Sequence, residues 1–229
     1  MKSFLQFHFL LFVLTFLTVG CKSDLDPMGR GPTGMVVDTI IIKPGPEGKD
    51  AIVTSYYPEN NNGDGQLLNA IAASVDRVPY VERAYIDFDL SALPGDADIL
   101  YAQMKLFADT VVNVAGYTGH SVSGTSGYNT SNAWILEKVI SPWEENTVSW
   151  FNVPSTSSTS PIELPSSTSF NQAYEVDVTE AITNQFRFKG SSYGFLLKLK
   201  EEKSTRKISF CSSDYSYPQL RPQLTIVYR

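Results

Sequence analysis

The sequence predicts an all-β protein, a two-sheet jelly-roll β-sandwich with one short helix. Short β-rich runs recur from Val36 to Tyr228, clusters of Pro, Gly and Asn separate them, and side chains alternate with a period of two in the clearest run. Of the 229 residues 42% are hydrophobic and 18% charged, with 13 Phe and 12 Tyr, so the chain can bury a core and is not disordered as a whole. One large domain over residues 36–229 is expected.

The first half offers strands at Val36–Ile42, Asp50–Tyr56, Leu67–Ser74, Ala84–Leu90 and Leu100–Phe107. In the fourth, Ala84, Ile86, Phe88 and Leu90 point one way while Tyr85, Asp87 and Asp89 point the other, which marks a strand with one buried face. The second half adds Trp134–Ile140, Thr147–Phe151, Tyr174–Val178, Gly194–Lys200, Arg206–Ser212 and Gln223–Tyr228. These runs together suit two packed sheets. Asp177-Val178-Thr179-Glu180 has capping-box spacing, and Ala181, Ile182 and Phe186 follow as an apolar stripe, so a short helix is expected over one end of the sandwich. Ser155–Ser169 is rich in Ser, Thr and Pro and reads as a surface loop.

Ahead of the domain, Lys2 precedes an apolar run from Phe4 to Val19 that stops at Gly20 and Cys21. A positive start, a short apolar core and small residues at its end make a secretory signal, too short for a stable span. Leu17-Thr18-Val19-Gly20-Cys21 resembles a bacterial lipobox, although Thr18 stands where most lipoboxes carry Leu. The resemblance implies a signal peptide over 1–20, acylation of Cys21 and a flexible tether over 21–35. Asp24 and Asp26 just after that cysteine resemble the surface-export signals of Bacteroidetes-type lipoproteins, which implies an outer-membrane protein facing the exterior.

Composition narrows the chemistry. His120 is the one histidine beyond the signal, which removes multi-histidine zinc sites. With Cys21 lipidated, Cys211 has no intrachain partner and reads as a packed strand residue. Asn60-x-Asn62-x-Asp64-Gly65 begins like a calcium loop, but position twelve is Ile71 where a bidentate Glu is needed. A turn is expected there, with no metal and no cofactor. Were a metal required, Asp50, Asp64 and Asp89 are the first carboxylates to test. A lyase needs a Tyr or His base beside a neutraliser for the uronate carboxylate. Tyr117 and His120 are close in sequence, yet Tyr117–Asn132 supplies no Arg or Lys, and a non-enzymatic protein is expected.

The formal net charge of -6 is unevenly spread, because Gln185–Arg229 carries nine Lys and Arg against three Asp and Glu. If Glu201–Thr205 closes a hairpin, Lys198, Lys200 and Lys207 share one outer sheet face, a place for a polyanion. The most distinctive internal string runs from Ser141 to Pro154 and holds Trp143 and Trp150. Indole rings serve as sugar platforms or as core plugs.

Several pieces occur here in the order seen in DNRLRE-domain proteins, though the namesake six-letter string is absent. They are Asp50-Ala51-Ile52-Val53, Arg83 to Pro94, the tryptophan string, Val176-Asp177-Val178-Thr179, Gly194-Phe195-Leu196-Leu197 and Pro222 to Tyr228. The resemblance covers nearly all of Val36–Arg229. It implies a jelly-roll domain resembling a carbohydrate-binding module, with alginate among the ligand classes. Because the tryptophan string looks like a family-wide signature, Trp150 is expected in the core, and Trp143 and Tyr128 are the candidate aromatic platforms.

The sequence thus reads as a lipid-anchored surface protein that binds glycan without chemistry of its own. Its expected partners are a polysaccharide, the membrane through the lipid alone, and other surface glycan-utilisation proteins, with no nucleic acid. The alternative is a structural or adhesive subunit packing against protein partners. Substituting Cys21→Ser should abolish metabolic labelling with palmitate and release the protein from the membrane fraction, as checked by fractionation of labelled cells.

Overall fold

A computed structural model describes residues 36–229 apart from 111, 114–115, 118, 122–130 and 204. The expected signal, Cys21, the tether and Tyr128 lie outside the described residues. From the N-terminal side the strands are β1 (Asp38–Ile42), β2 (Lys49–Thr54), β3 (Leu67–Val75), β4 (Val78–Asp87), β5 (Ile99–Leu106), the short pair β6 (Val112–Asn113) and β7 (Gly116–Tyr117), and β8 (Trp134–Val139). There follow β9 (Thr156–Leu164), β10 (Tyr174–Asp177), the helix α1 (Thr179–Arg187), β11 (Phe195–Leu199), β12 (Arg206–Cys211) and β13 (Gln223–Tyr228).

Two antiparallel sheets carry the architecture. The smaller has the order β1-β13-β5-β10, and the larger has the order β12-β3-β4-β11-β8-β9 with β2 also paired to β4. Alternation builds the core between them: Leu68, Ala70 and Ala72 of β3, Leu197 and Leu199 of β11, Ala102, Met104 and Leu106 of β5, and Leu224 and Ile226 of β13 are all buried in one cluster. Each such Leu or Ile contributes about 1.5–3 kcal/mol relative to exposure. Trp134 is fully buried there, edge-on to Tyr174 with ring centroids 5.2 Å apart. The two-sheet sandwich expected from the sequence is the observed fold.

The helix forms close to the expected start, but its N-cap is Val178 with no side-chain cap bond, so the expected capping box does not form. Asp177 Oδ1 accepts the Thr179 amide at 2.9 Å, supplying a partner for a first-turn N–H that has none within the helix. Ile182 is the residue the helix buries in the main core. The Thr179 hydroxyl accepts the Ala102 amide at 2.9 Å and fastens the helix start to β5.

Three local expectations are corrected. Thr156–Leu164, within the segment read as a loop, is strand β9 on β8; Ser and Thr tolerate an edge position, and Ile162 and Leu164 pack against the core. Thr147–Phe151 is a turn leading into a 3₁₀ helix over Trp150–Asn152, because Asn152 folds back, accepting the Ser149 amide at 2.5 Å and donating to Thr147 O at 2.9 Å. Finally, β11 and β12 form no hairpin. β11 pairs with β4 and β8, whereas β12 pairs with β3, so the link through residues 200–205 crosses two strands.

His120 is 2% exposed and lies edge-on to Phe210 and Tyr174. Its Nδ1 accepts the Ser209 amide at 3.1 Å and Nε2 lies 2.8 Å from Gln172 O, an arrangement satisfied by the neutral tautomer with the proton on Nε2. Burial therefore lowers its pKa to about 4. Below about pH 6.5 the unfolded chain takes up a proton that the folded chain refuses, so stability should fall as pH drops from about 6.5 to 4, by about 3 kcal/mol in total from this residue. Urea unfolding of wild type and His120→Gln at pH 7.5 and pH 5 checks this, with the larger loss expected in wild type.

Candidate functional site

The outer face of the larger sheet is where the sequence-predicted side chains meet. On β4, Tyr85 points outward; on β11, Leu196 does so, and the 140–155 segment folds back over both. Trp143 then fills a second core with Ala51, Val53, Tyr85, Val139, Val148 and Leu196. It is 5% exposed, its Nε1 donates to Tyr193 O at 2.9 Å, and Lys49 Nζ sits 4.7 Å from its ring centroid. Burial also pushes the Tyr85 hydroxyl up to about 12.

Trp143 is thus a plug, and its ring has no face free for a sugar. Trp150, expected in the core, is half-buried on the 3₁₀ helix and packs against the edge of that second core, and its neighbour Phe151 is 70% exposed. The Arg83 guanidinium lies 4.9 Å from the Trp150 ring centroid. Charge attraction to the ring face and a two-pronged bond to Glu202, at 2.7 and 2.8 Å, hold it there.

A charged network continues from that ring across the sheet. Lys198 on β11 pairs with Glu137 at 2.8 Å, and Glu137 accepts the Thr156 hydroxyl at 3.0 Å. Lys200, just past β11, pairs with Glu163 of β9 at 2.6 Å. Lys198 and Glu163 both pair across to Ile135 of β8, which places them on one face. Arg83, Lys198 and Lys200 are therefore each matched by a carboxylate, from Glu202, Glu137 and Glu163 in turn.

Lys207 is not part of it. It belongs to β12, with β3 and β4 between it and β11, so the expected trio on one hairpin face does not form. Burial lowers the Lys207 pKa against the opposing pull of Glu82 and Asp109. Cys211 is fully buried and its thiol is pushed up to about 12 by burial, which leaves it inert as a nucleophile.

A separate groove of about 810 Å³ runs between β1, the 87–95 segment and the end of α1, lined among others by Lys43, Lys49, Asp87, Phe88 and Lys189. Phe88 is 4% exposed, so it presents no open ring there. The Trp150 face joins an open aromatic edge to convergent donors and acceptors, the combination that sugar rings and hydroxyls require.

The model of carbohydrate-binding module family 96 matches residues 45–228. The chain belongs to that family. The domain is a carbohydrate-binding module, of a kind that is generally non-catalytic. Comparison with curated proteins returns no match.

Sequence reasoning missed Arg83 and Glu202 as site residues. The signal for Arg83 is its alternation with Tyr85, one residue ahead of the fourth run; nothing local points to Glu202, which lies 119 residues away. Substituting Trp143→Ala should cost about 3–5 kcal/mol, whereas Trp150→Ala, at a half-buried position, should cost about half as much. Chemical unfolding of both variants checks the order.

Proposed function

We propose that the protein is a non-catalytic glycan receptor, held at the outer membrane by lipid on Cys21 and facing the exterior, whose sugar lies on the outer face of the larger sheet beside Trp150 and Phe151. The observation that carries this reading is the Arg83–Trp150 stack with Glu202 in its fork, next to Lys198 and Glu137. A flat apolar ring edge and paired donors and acceptors at fixed spacing suit the alternating CH and OH surfaces of a pyranose.

An acidic polysaccharide such as alginate is the second reading, favoured by three cationic side chains, Arg83, Lys198 and Lys200, along one face. Each already has a carboxylate partner, so a uronate must replace Glu202, Glu137 or Glu163 rather than fill an empty positive site. Arg83 is the better uronate ligand of the three, since its fork matches a carboxylate.

A glycan-array screen followed by calorimetric titration of alginate, polygalacturonate and the best neutral glycan tests both readings. Trp150→Ala should weaken binding of the true ligand about tenfold or more, equivalent to about 1.4 kcal/mol. For a uronate ligand, binding should also fall with added salt and with Lys198→Ala. Binding untouched by Trp150→Ala but lost on altering Lys189 would move the site to the groove beside α1. Binding to protein partners alone would support the adhesive alternative.

A further inference from the structure

Asp50 sits near the start of β2, is 1% exposed and forms no ion pair among the described residues. Its Oδ2 accepts the Ser213 amide at 2.8 Å, and its own amide donates to Glu145 Oε1 at 3.0 Å. Oδ1 is buried with no hydrogen-bond partner. A carboxylate oxygen held out of water in this way is costly unless positive charge meets it.

Two further carboxylates converge from distant parts of the chain. Glu145 lies in the turn between Trp143 and Trp150, and Asp214 directly follows the end of β12. One ligand oxygen from each of Asp50, Glu145 and Asp214 lies within 4.8 Å of the others. Asp64 stands close enough to Asp214 that its charge, after burial, raises the Asp214 pKa. Burial raises Asp50 to about 7, with Glu145 and Asp214 adding to the rise. The nearby cations are engaged elsewhere: Lys49 Nζ reaches Asp87 at 3.6 Å, and Arg221 Nε donates to Tyr215 O at 2.9 Å.

We propose that Asp50, Glu145 and Asp214 form a Ca²⁺ site that fastens the tryptophan turn to the sheet. Ca²⁺ takes carboxylate and carbonyl oxygens at about 2.3–2.6 Å, so two oxygens sharing one ion stand at most about 5 Å apart. The three oxygens satisfy that limit before any adjustment. Loops supply two of the three ligands, which suits the irregular coordination of Ca²⁺ better than the strict octahedron of Mg²⁺.

The surroundings are built onto the same turn. Asn61 Nδ2 donates to Glu145 O at 2.6 Å and to Val148 O at 2.8 Å, so the Asn-rich loop clamps the segment that carries Glu145. Gly63 approaches so closely that a Cβ there would stand 2.7 Å from Glu145 Cγ, and a glycine is required for that contact. An ion at Asp50 would therefore join β2, the tryptophan turn, the 60–64 loop and the end of β12.

The test uses the full chain, stripped with EDTA and dialysed, in thermal unfolding and calorimetric titration with CaCl₂, MgCl₂, and NaCl at matched ionic strength. Ca²⁺ at a hundredfold excess over its Kd should raise Tm by about 5 °C or more. NaCl should give no such rise, and Mg²⁺ a smaller one. Asp50→Asn keeps the side-chain shape and removes the buried charge, and Asp214→Asn does the same at a less buried position. Both variants should melt cooperatively and lose the Ca²⁺ response; if Asp50→Asn does not fold, Asp214→Asn decides. No rise with Ca²⁺ in wild type, an equal rise with NaCl, a larger one with Mg²⁺, or an undiminished Ca²⁺ response in the variants would overturn the proposal.

Discussion

The seating of Trp143 on the outer face of the larger sheet is the contact on which the rest of the surface depends. A sandwich sheet normally buries one face and leaves the other to water. Here Tyr85 and Leu196 point outward from adjacent strands and present large apolar surfaces, so something must cover them. Trp143 does so, with its indole N–H satisfied by Tyr193 O. Once the ring is seated, the chain has only Glu144 to Ser149 in which to turn, and Asn152 closes that turn by bonding back to it. Trp150 is therefore delivered to a fixed place beside Arg83, with Phe151 outside it.

This arrangement divides labour between two tryptophans only seven residues apart. The first supplies burial and the second supplies a partly open ring. Exchanging them would leave Tyr85 and Leu196 wet and bury Trp150 against a guanidinium, at a loss of apolar contact and a gain of charge desolvation. Burial of Trp143 and exposure of Phe151 are thus consequences of one packing problem.

The fold was legible because its signals are local. Alternation in β4 and β11, the Asp177-Thr179 helix start and the turn clusters each lie within a few residues of what they determine. The misreadings share a different cause. Thr156–Leu164 looks like a loop by composition, but β8 offers an unpaired edge and Ile162 and Leu164 offer burial, and these tertiary gains override weak local preference. The link after Lys200 is short enough for a hairpin, yet β11 already has β4 and β8 on its two edges and no edge remains for β12. The sequence pattern puts Trp150 rather than Trp143 in the core, because it does not show what Tyr85 and Leu196 leave uncovered. The carboxylates failed in the same way. The loop pattern at Asn60 spans twelve residues, whereas Asp50 and Ser213, which share a hydrogen bond, are 163 residues apart.

Charge shows most clearly how folding rewrites a sequence tally. The C-terminal stretch carries an excess of cations along the chain, but the fold returns a carboxylate to several of them: Glu137 to Lys198, Glu163 to Lys200, and Asp98 to Arg187 and Arg229. On the Trp150 face Arg83, Lys198 and Lys200 are each paired, so they exert little long-range pull on a ligand. Discrimination on such a face comes from matching hydroxyls or carboxylates to these pairs at contact distance. Carboxylates gather instead at Asp50, Glu145 and Asp214, within 4.8 Å of one another, with Asp64 close enough to act on Asp214. These carboxylates stand at the base of the segment that positions Trp150, so the turn's order depends on how their mutual repulsion is met.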